Sequence, residues 1–140
     1  MPPAIGLTTL FGKILLLMEN DKYWYINPED LFRVGNSNGP RFDHVRSDEV
    51  DTYPLNGVTM IQANNRGISL YTDEELRKQP LTGWVWRLSK GAPLPQGLRL
   101  YCDKPGHYMI VPTFEIPVDM YKGLLGSMVC HAAKIWKKSA

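Results

Sequence analysis

A chain of 140 residues, 44% of them hydrophobic, has the material for one domain with a real core. Its 16 basic and 14 acidic residues nearly cancel, a balance that does not describe a dedicated nucleic-acid binder, which would carry a basic face. Its two cysteines, Cys102 and Cys130, match no zinc-ligand spacing, and the three histidines are scattered, so no metal centre is indicated. Two lone thiols of this kind suit a reduced, partly buried state.

The opening residues carry an apolar run, Ile14 to Met18, preceded by Leu10, Phe11 and Lys13, which predicts a helix over Thr8–Met18. The run is too short to cross a bilayer. It also lacks the basic start and small-residue end of a signal peptide, having Pro2, Pro3 and Ala4 before it and Glu19-Asn20-Asp21 after it. The aromatic-rich Lys22–Ile26 has strand composition. Pro28–Asp30 reads as a turn or a helix start, Leu31–Val34 as a short strand ending at Gly35, and Asn36–Pro40 as a loop.

Residues 41–66 mix Arg41, Asp43, Arg46, Asp48, Glu49 and Asp51, a pattern that reads as solvated. Within it, Thr59–Gln62 suits a short strand and Asn64–Gly67 a turn. Ile68–Tyr71 predicts a strand. Thr72 followed by Glu75 has the capping-box form, so a short helix begins there and stops before Pro80.

Trp84–Leu88 is a strand with Trp84 and Trp86 on one face. Leu98–Tyr101 and His107–Val111 form a hairpin around Lys104-Pro105-Gly106. His107 and Tyr108 are adjacent, so an extended strand points them to opposite faces. Tyr121, Leu125, Met128, Ala132 and Ile135 then fall at helical spacing, which predicts a helix opened by Pro117 or Asp119 and reaching at least Ile135. Lys134, Lys137 and Lys138 would complement its C-terminal dipole. Short strands with few helices indicate a mixed α+β chain.

Three motifs, in order, carry a resemblance. Leu-Phe-Arg at 31–33, Gly-Ile-Ser-Leu-Tyr at 67–71, and Gly-His-Tyr-Met-Ile-Val-Pro at 106–112 ahead of a Tyr-containing helix are similar to the small cytosol-acting Tse toxin family of type VI secretion and its bacterial and fungal relatives. Lys90-Gly-Ala-Pro-Leu-Pro-Gln-Gly97 resembles the proline-containing segment ahead of that family's His-Tyr strand. The similarity runs from about Leu31 to Trp136. Residues 1–30 fall largely outside it, in what reads as a single domain over 1–140.

The resemblance implies an α+β fold with an ADP-ribosyltransferase-like split antiparallel β-sheet core and a few flanking helices. It implies NAD as substrate and an ADP-ribosyltransferase-like activity. Carried over by position, Arg33 matches the first-strand Arg, Ser69 the Ser of the Gly-x-Ser motif, and His107 and Tyr108 the His-Tyr pair. Arg33, Ser69 and His107 are the implied catalytic residues. Gly67, Tyr71 and Tyr108, with Arg33 and Ser69, are the implied NAD contacts. The resemblance further implies a cognate immunity protein or antitoxin and an intracellular target macromolecule. The implied location is that of a secreted effector without a signal peptide, acting in the target-cell cytoplasm. Two features differ from the ADP-ribosyltransferase pattern: no Ser-Thr-Ser on the second strand, and no Gln/Glu-x-Glu pair on a late strand. The nearby acids are Glu115, on a loop, and Asp119, at a helix start.

Each residue also has a plainer reading. Arg33 is a phosphate fork or the partner of Asp30 or Asp43. Ser69 is a ligand contact or a hydroxyl satisfying its neighbours, with Gly67 before it admitting a close ligand. His107 is an acid/base or a structural histidine. Tyr108 stacks on a nicotinamide ring or on the core, and Trp84 and Trp86 form a platform or core packing. Two other functions stay open at this point. One is a ribonuclease using His107, Lys104, Arg99 and Tyr101 of one hairpin. The other is a non-catalytic binding module on the Trp84/Trp86 face.

Overall fold

A computed structural model describes residues 22–139, so the helix expected over 8–18 lies outside the described residues. The elements in chain order are β1 (Tyr23–Trp24), β2 (Leu31–Gly35), β3 (Thr52–Leu55), β4 (Val58–Ile61), β5 (Ile68–Tyr71), α1 (Asp73–Lys78), β6 (Gly83–Leu88), β7 (Leu98–Lys104), β8 (His107–Pro112), β9 (Ile116–Pro117), α2 (Val118–Gly126), a 3-10 turn (Val129–His131) and β10 (Ala132–Lys138). A seven-stranded sheet runs β1-β7-β8-β5-β2-β6-β10, and a three-stranded sheet runs β3-β4-β9. Every pairing is antiparallel. The α+β class read from the sequence is the observed one.

The large sheet is divided along one seam. β2 joins β6 through five registered pairs and β5 joins β8 through four, but β2 meets β5 at Phe32 and Tyr71 alone. Beyond that pair the strands diverge, leaving the β1-β7-β8-β5 half and the β2-β6-β10 half to be joined by side chains.

Alternating apolar residues supply the core. Leu31, Ile68, Leu70, Leu98, Leu100 and Ile110 are fully or almost fully buried, with Ile61 and Ile116 from the small sheet and Phe42 from the loop after β2. Tyr121 and Leu125 bring α2 onto this cluster and are both 0% exposed. The Tyr121 hydroxyl donates to Ile110 O (2.6 Å) and accepts from Ile68 N (3.0 Å), tying helix to sheet. Burial pushes that phenol above its ordinary pKa, so it remains a donor. Leu125→Ala should lower stability by about 2–5 kcal/mol, the usual cost of a cavity at a fully buried leucine. An unchanged thermal midpoint would show that this face does not hold α2.

The helix starts where the capping box placed it, with half of the box formed: the Thr72 side chain accepts from Glu75 N, Thr72 N donates to Gly106 O in place of the Glu75 carboxylate, and α1 ends at Lys78. The tip of the β7–β8 hairpin packs here. Gly106 has φ +82°, and a Cβ there would lie 2.9 Å from Glu75 Cβ, while its carbonyl accepts from Thr72 N (3.0 Å).

The last helix is shorter than predicted. α2 ends at Gly126, and Ala132–Lys138 forms a strand against β6, from Ala132 opposite Leu88 to Lys138 opposite Gly83. Gly123 and Gly126 each weaken a helix by about 1 kcal/mol relative to alanine. The open edge of β6 offers the following residues a full ladder. Met128 stays buried at 1%, but Ile135 is 42% exposed. The C-terminal lysines therefore do not cap this helix. Lys138 Nζ instead donates to Gln79 O (2.8 Å) and Leu81 O (2.7 Å), just past the C-terminal end of α1.

Candidate active site

The seam opens into a cleft of about 190 Å³ whose lining includes Arg33, Arg41, His44, Arg46, Ser69 and Tyr71. Ser69 exposes both backbone hydrogen-bonding groups toward the seam, where a continued ladder to β2 would have used them. Side chains take over instead. Arg33 Nη1 donates to Ser69 O (2.9 Å), and Ser69 N donates to Glu49 Oε2 (3.0 Å). Arg33 Nη2 donates to His44 O (3.1 Å), and Nη1 lies 3.4 Å from Glu49 Oε2. Glu49 Oε1 also accepts from Arg46 N (3.1 Å). This network is nearly dry, with the Arg33 side chain 10% and the Glu49 side chain 4% exposed.

Arg33 lines the cleft, and its plainer reading as an ion-pair partner holds, with Glu49 in place of the expected Asp30 or Asp43. Glu49 had no signal in the sequence, because it sits in a stretch as charged as any solvated loop. Arg41 and Arg46 reach the cleft as exposed arms. Arg41 holds φ +59°, a left-handed backbone uncommon outside glycine.

Ser69 and His107 are also brought together. His107 Nε2 lies 2.9 Å from Ser69 Oγ, and Nδ1 lies 2.6 Å from Asp103 Oδ1. Tyr71 packs beside the imidazole, ring centroids 5.1 Å apart at 40°. Asp103 was the second residue missed by sequence reading. Its signal is faint: an acid four positions before a histidine, across a hairpin turn.

Two implied NAD contacts lie elsewhere. Tyr108 follows the pleat to the opposite face from His107, is 7% exposed, and packs against Trp24 with centroids 5.5 Å apart. Its hydroxyl donates to Glu29 Oε2 (2.6 Å), and burial, then this contact, raise its pKa. The space beside Gly67 is taken by protein: a Cβ there would lie 1.9 Å from Ile110 O and 2.8 Å from Tyr121 Oη. That glycine serves strand packing, and no ligand can approach from that side.

The other candidates separate as well. Glu115 accepts from the Tyr53 hydroxyl and from Ala63 N (2.7 Å), contacts that hold its carboxyl below the usual range, in the small sheet's neighbourhood. Asp119 lies in the first turn of α2 without a capping hydrogen bond. Arg99 stacks on Tyr23, 3.7 Å from the ring centroid, and its strand register places it opposite Val111, far along the hairpin from His107. Of the basic residues named for a ribonuclease, Arg99 is thus not gathered at His107, whereas Lys104 is its registered partner on β7. Trp84 is covered by Lys134, 4.7 Å from its ring, and Trp86 Nε1 donates to Asn36 O (2.8 Å). Both indoles are half-buried outside the main core. Cys102 and Cys130 are free thiols.

Among the described residues no group of three or more His, Cys, Asp or Glu side chains converges as a metal site, and no helix is long and apolar enough to cross a membrane. No curated protein and no solved structure matches the chain. A family model does: that of the Tse2 ADP-ribosyltransferase toxin, over residues 23–134. The match spans β1 to the start of β10 and takes in the seam, the cleft and the Asp103–His107–Ser69 contacts, so the chain belongs to the Tse2 ADP-ribosyltransferase toxin family and is a toxin with an ADP-ribosyltransferase-like fold.

Proposed function

We propose that this toxin takes NAD as substrate in the seam cleft and transfers or hydrolyses off its ADP-ribose. The observation that carries the reading is the convergence of Arg33, Arg41 and Arg46 with Ser69 and Tyr71 where the sheet splits. Guanidinium groups match phosphate oxygens bidentately, and a planar aromatic wall suits a base or pyridinium ring. The enclosed volume, about 190 Å³, is below the roughly 300–1,000 Å³ of whole-ligand pockets. It suits the pyrophosphate and its neighbouring ribose, with the rest of the dinucleotide lying over the open mouth.

In this reading the protein acts in a target cell's cytosol after type VI delivery, on an intracellular macromolecule or on the NAD pool itself. Its producer is protected by a cognate immunity protein that covers the cleft mouth. The family match supports these statements.

Arg33 is tied into the fold, so Arg41 is the cleaner probe. Arg41→Ala should leave the circular dichroism spectrum unchanged and weaken NAD use roughly ten- to a hundredfold, the loss of one charged hydrogen bond of about 1.5–3 kcal/mol. The assay is purified protein with labelled NAD and target-cell lysate, following free nicotinamide and label on protein or nucleic acid. Degradation of purified RNA with NAD untouched would replace this reading with the ribonuclease one. Inertness toward both would leave a binding module.

A further inference from the structure

The β7 strand carries a bulge. Cys102 pairs with Tyr108 and Lys104 with His107, so Asp103 is the extra residue between them. A bulge frees a side chain from the regular alternation and re-aims it. Here it turns the Asp103 carboxylate onto His107 Nδ1 at 2.6 Å. A carboxylate only accepts, so it keeps the ring proton on Nδ1. Nε2 is then left to accept from the Ser69 hydroxyl at 2.9 Å. The His107 side chain is 12% exposed and is flanked by Tyr71, while Ser69 lines the cleft beside Arg33.

A hydroxyl within reach of a base, and that base oriented by a third group, is the arrangement that activates a nucleophile. We propose that Ser69 is the nucleophile of this site, attacking the anomeric carbon of a pyridine dinucleotide, with His107 as its general base and Asp103 as the residue that positions His107. The substrate half rests on the NAD reading above; the nucleophile half rests on the side-chain geometry alone.

The step balances. The Ser69 Oγ–C1′ bond forms as the bond from C1′ to the nicotinamide nitrogen breaks. That bond's electron pair leaves with nicotinamide and neutralises its ring. The Ser69 proton passes to His107 Nε2, and Asp103 offsets the imidazolium charge. In the second half His107 returns this proton to Ser69 Oγ as water or an acceptor hydroxyl takes the sugar and releases its own proton to solvent.

The test begins without NAD. The full chain is treated with a fluorophosphonate, an electrophile that reports activated serines, and the labelled residue is located by peptide mass mapping. Ser69 should be labelled, and His107→Ala should lower the labelling rate on the order of 10²-fold. Asp103→Asn should lower it roughly tenfold or more while leaving the affinity for NAD unchanged, a split that a merely structural role would not give. Acid-quenched reactions with labelled NAD should then show one ADP-ribosyl group on Ser69. Absence of fluorophosphonate label on Ser69 in folded protein would overturn the nucleophile. So would undiminished NAD consumption by Ser69→Ala. Labelling of Ser69 in a protein that neither binds nor consumes NAD would instead overturn the choice of substrate, and with it the NAD reading.

Discussion

Gly67→Ala should leave the chain largely unfolded. The new Cβ would sit 1.9 Å from Ile110 O and 2.7 Å from Ile110 C, both backbone atoms of the paired strand. It would also press on the Tyr121 hydroxyl, which bridges Ile68 N and Ile110 O. Ordinary overpacking costs about 1–3 kcal/mol because side chains shift. Here the backbone itself must move, and the β5–β8 ladder with it. The cost should therefore exceed that range and consume much of a typical stability of about 5–15 kcal/mol. Soluble yield and a urea titration followed by circular dichroism would measure it. A wild-type unfolding midpoint would mean that β5 and β8 are not packed as described.

Glu49→Ala should cost about 3–5 kcal/mol, the penalty for removing one partner of a buried ion pair. The carboxylate serves Ser69 N, Arg46 N and Arg33 at once. Its loss strands a nearly buried guanidinium and an unpaired amide on the open side of β5. Glu49→Gln should cost less, because the amide oxygen still accepts from one N–H while the charge is lost. The ordering Ala worse than Gln, read as urea midpoints with an unchanged slope, is the expected result. Equal midpoints for both variants and the parent would mean the network does not close the seam.

The strands were legible wherever alternation and turn chemistry agreed. Ile68–Tyr71 matches its predicted span, and the hairpin around Gly106 appears where its turn residues placed it. The C-terminal segment was misread because Leu125, Met128, Ala132 and Ile135 satisfy helical spacing and the alanines and lysines of Ala132–Lys138 favour helix, with only Ile135 and Trp136 preferring a strand. What decides between them is the free edge of β6, some fifty residues away in sequence. The site was legible in part. Arg33, Ser69, Tyr71 and His107 do gather. Tyr108 does not, and the pleat already forbade it, since neighbours on one strand cannot both face one cleft. Glu49 and Asp103 were hidden for different reasons. Nothing local separates Glu49 from Asp48, and Asp103 acquires its direction only from a bulge.

The seam between β2 and β5 also sets how the sheet should breathe. Two half-sheets that share a core but are joined edge to edge by one registered pair and a salt-bridged network should open locally at the seam before the molecule unfolds globally. The Ser69 amide is protected from exchange with solvent by a carboxylate and not by a strand. It should report the motion of the seam, while Leu70 and Ile110 deeper in the sheet report global unfolding. A phosphate-bearing ligand that engages Arg33 and Ser69 together would weld the halves, and deuterium uptake at Ser69 would slow as the cleft fills.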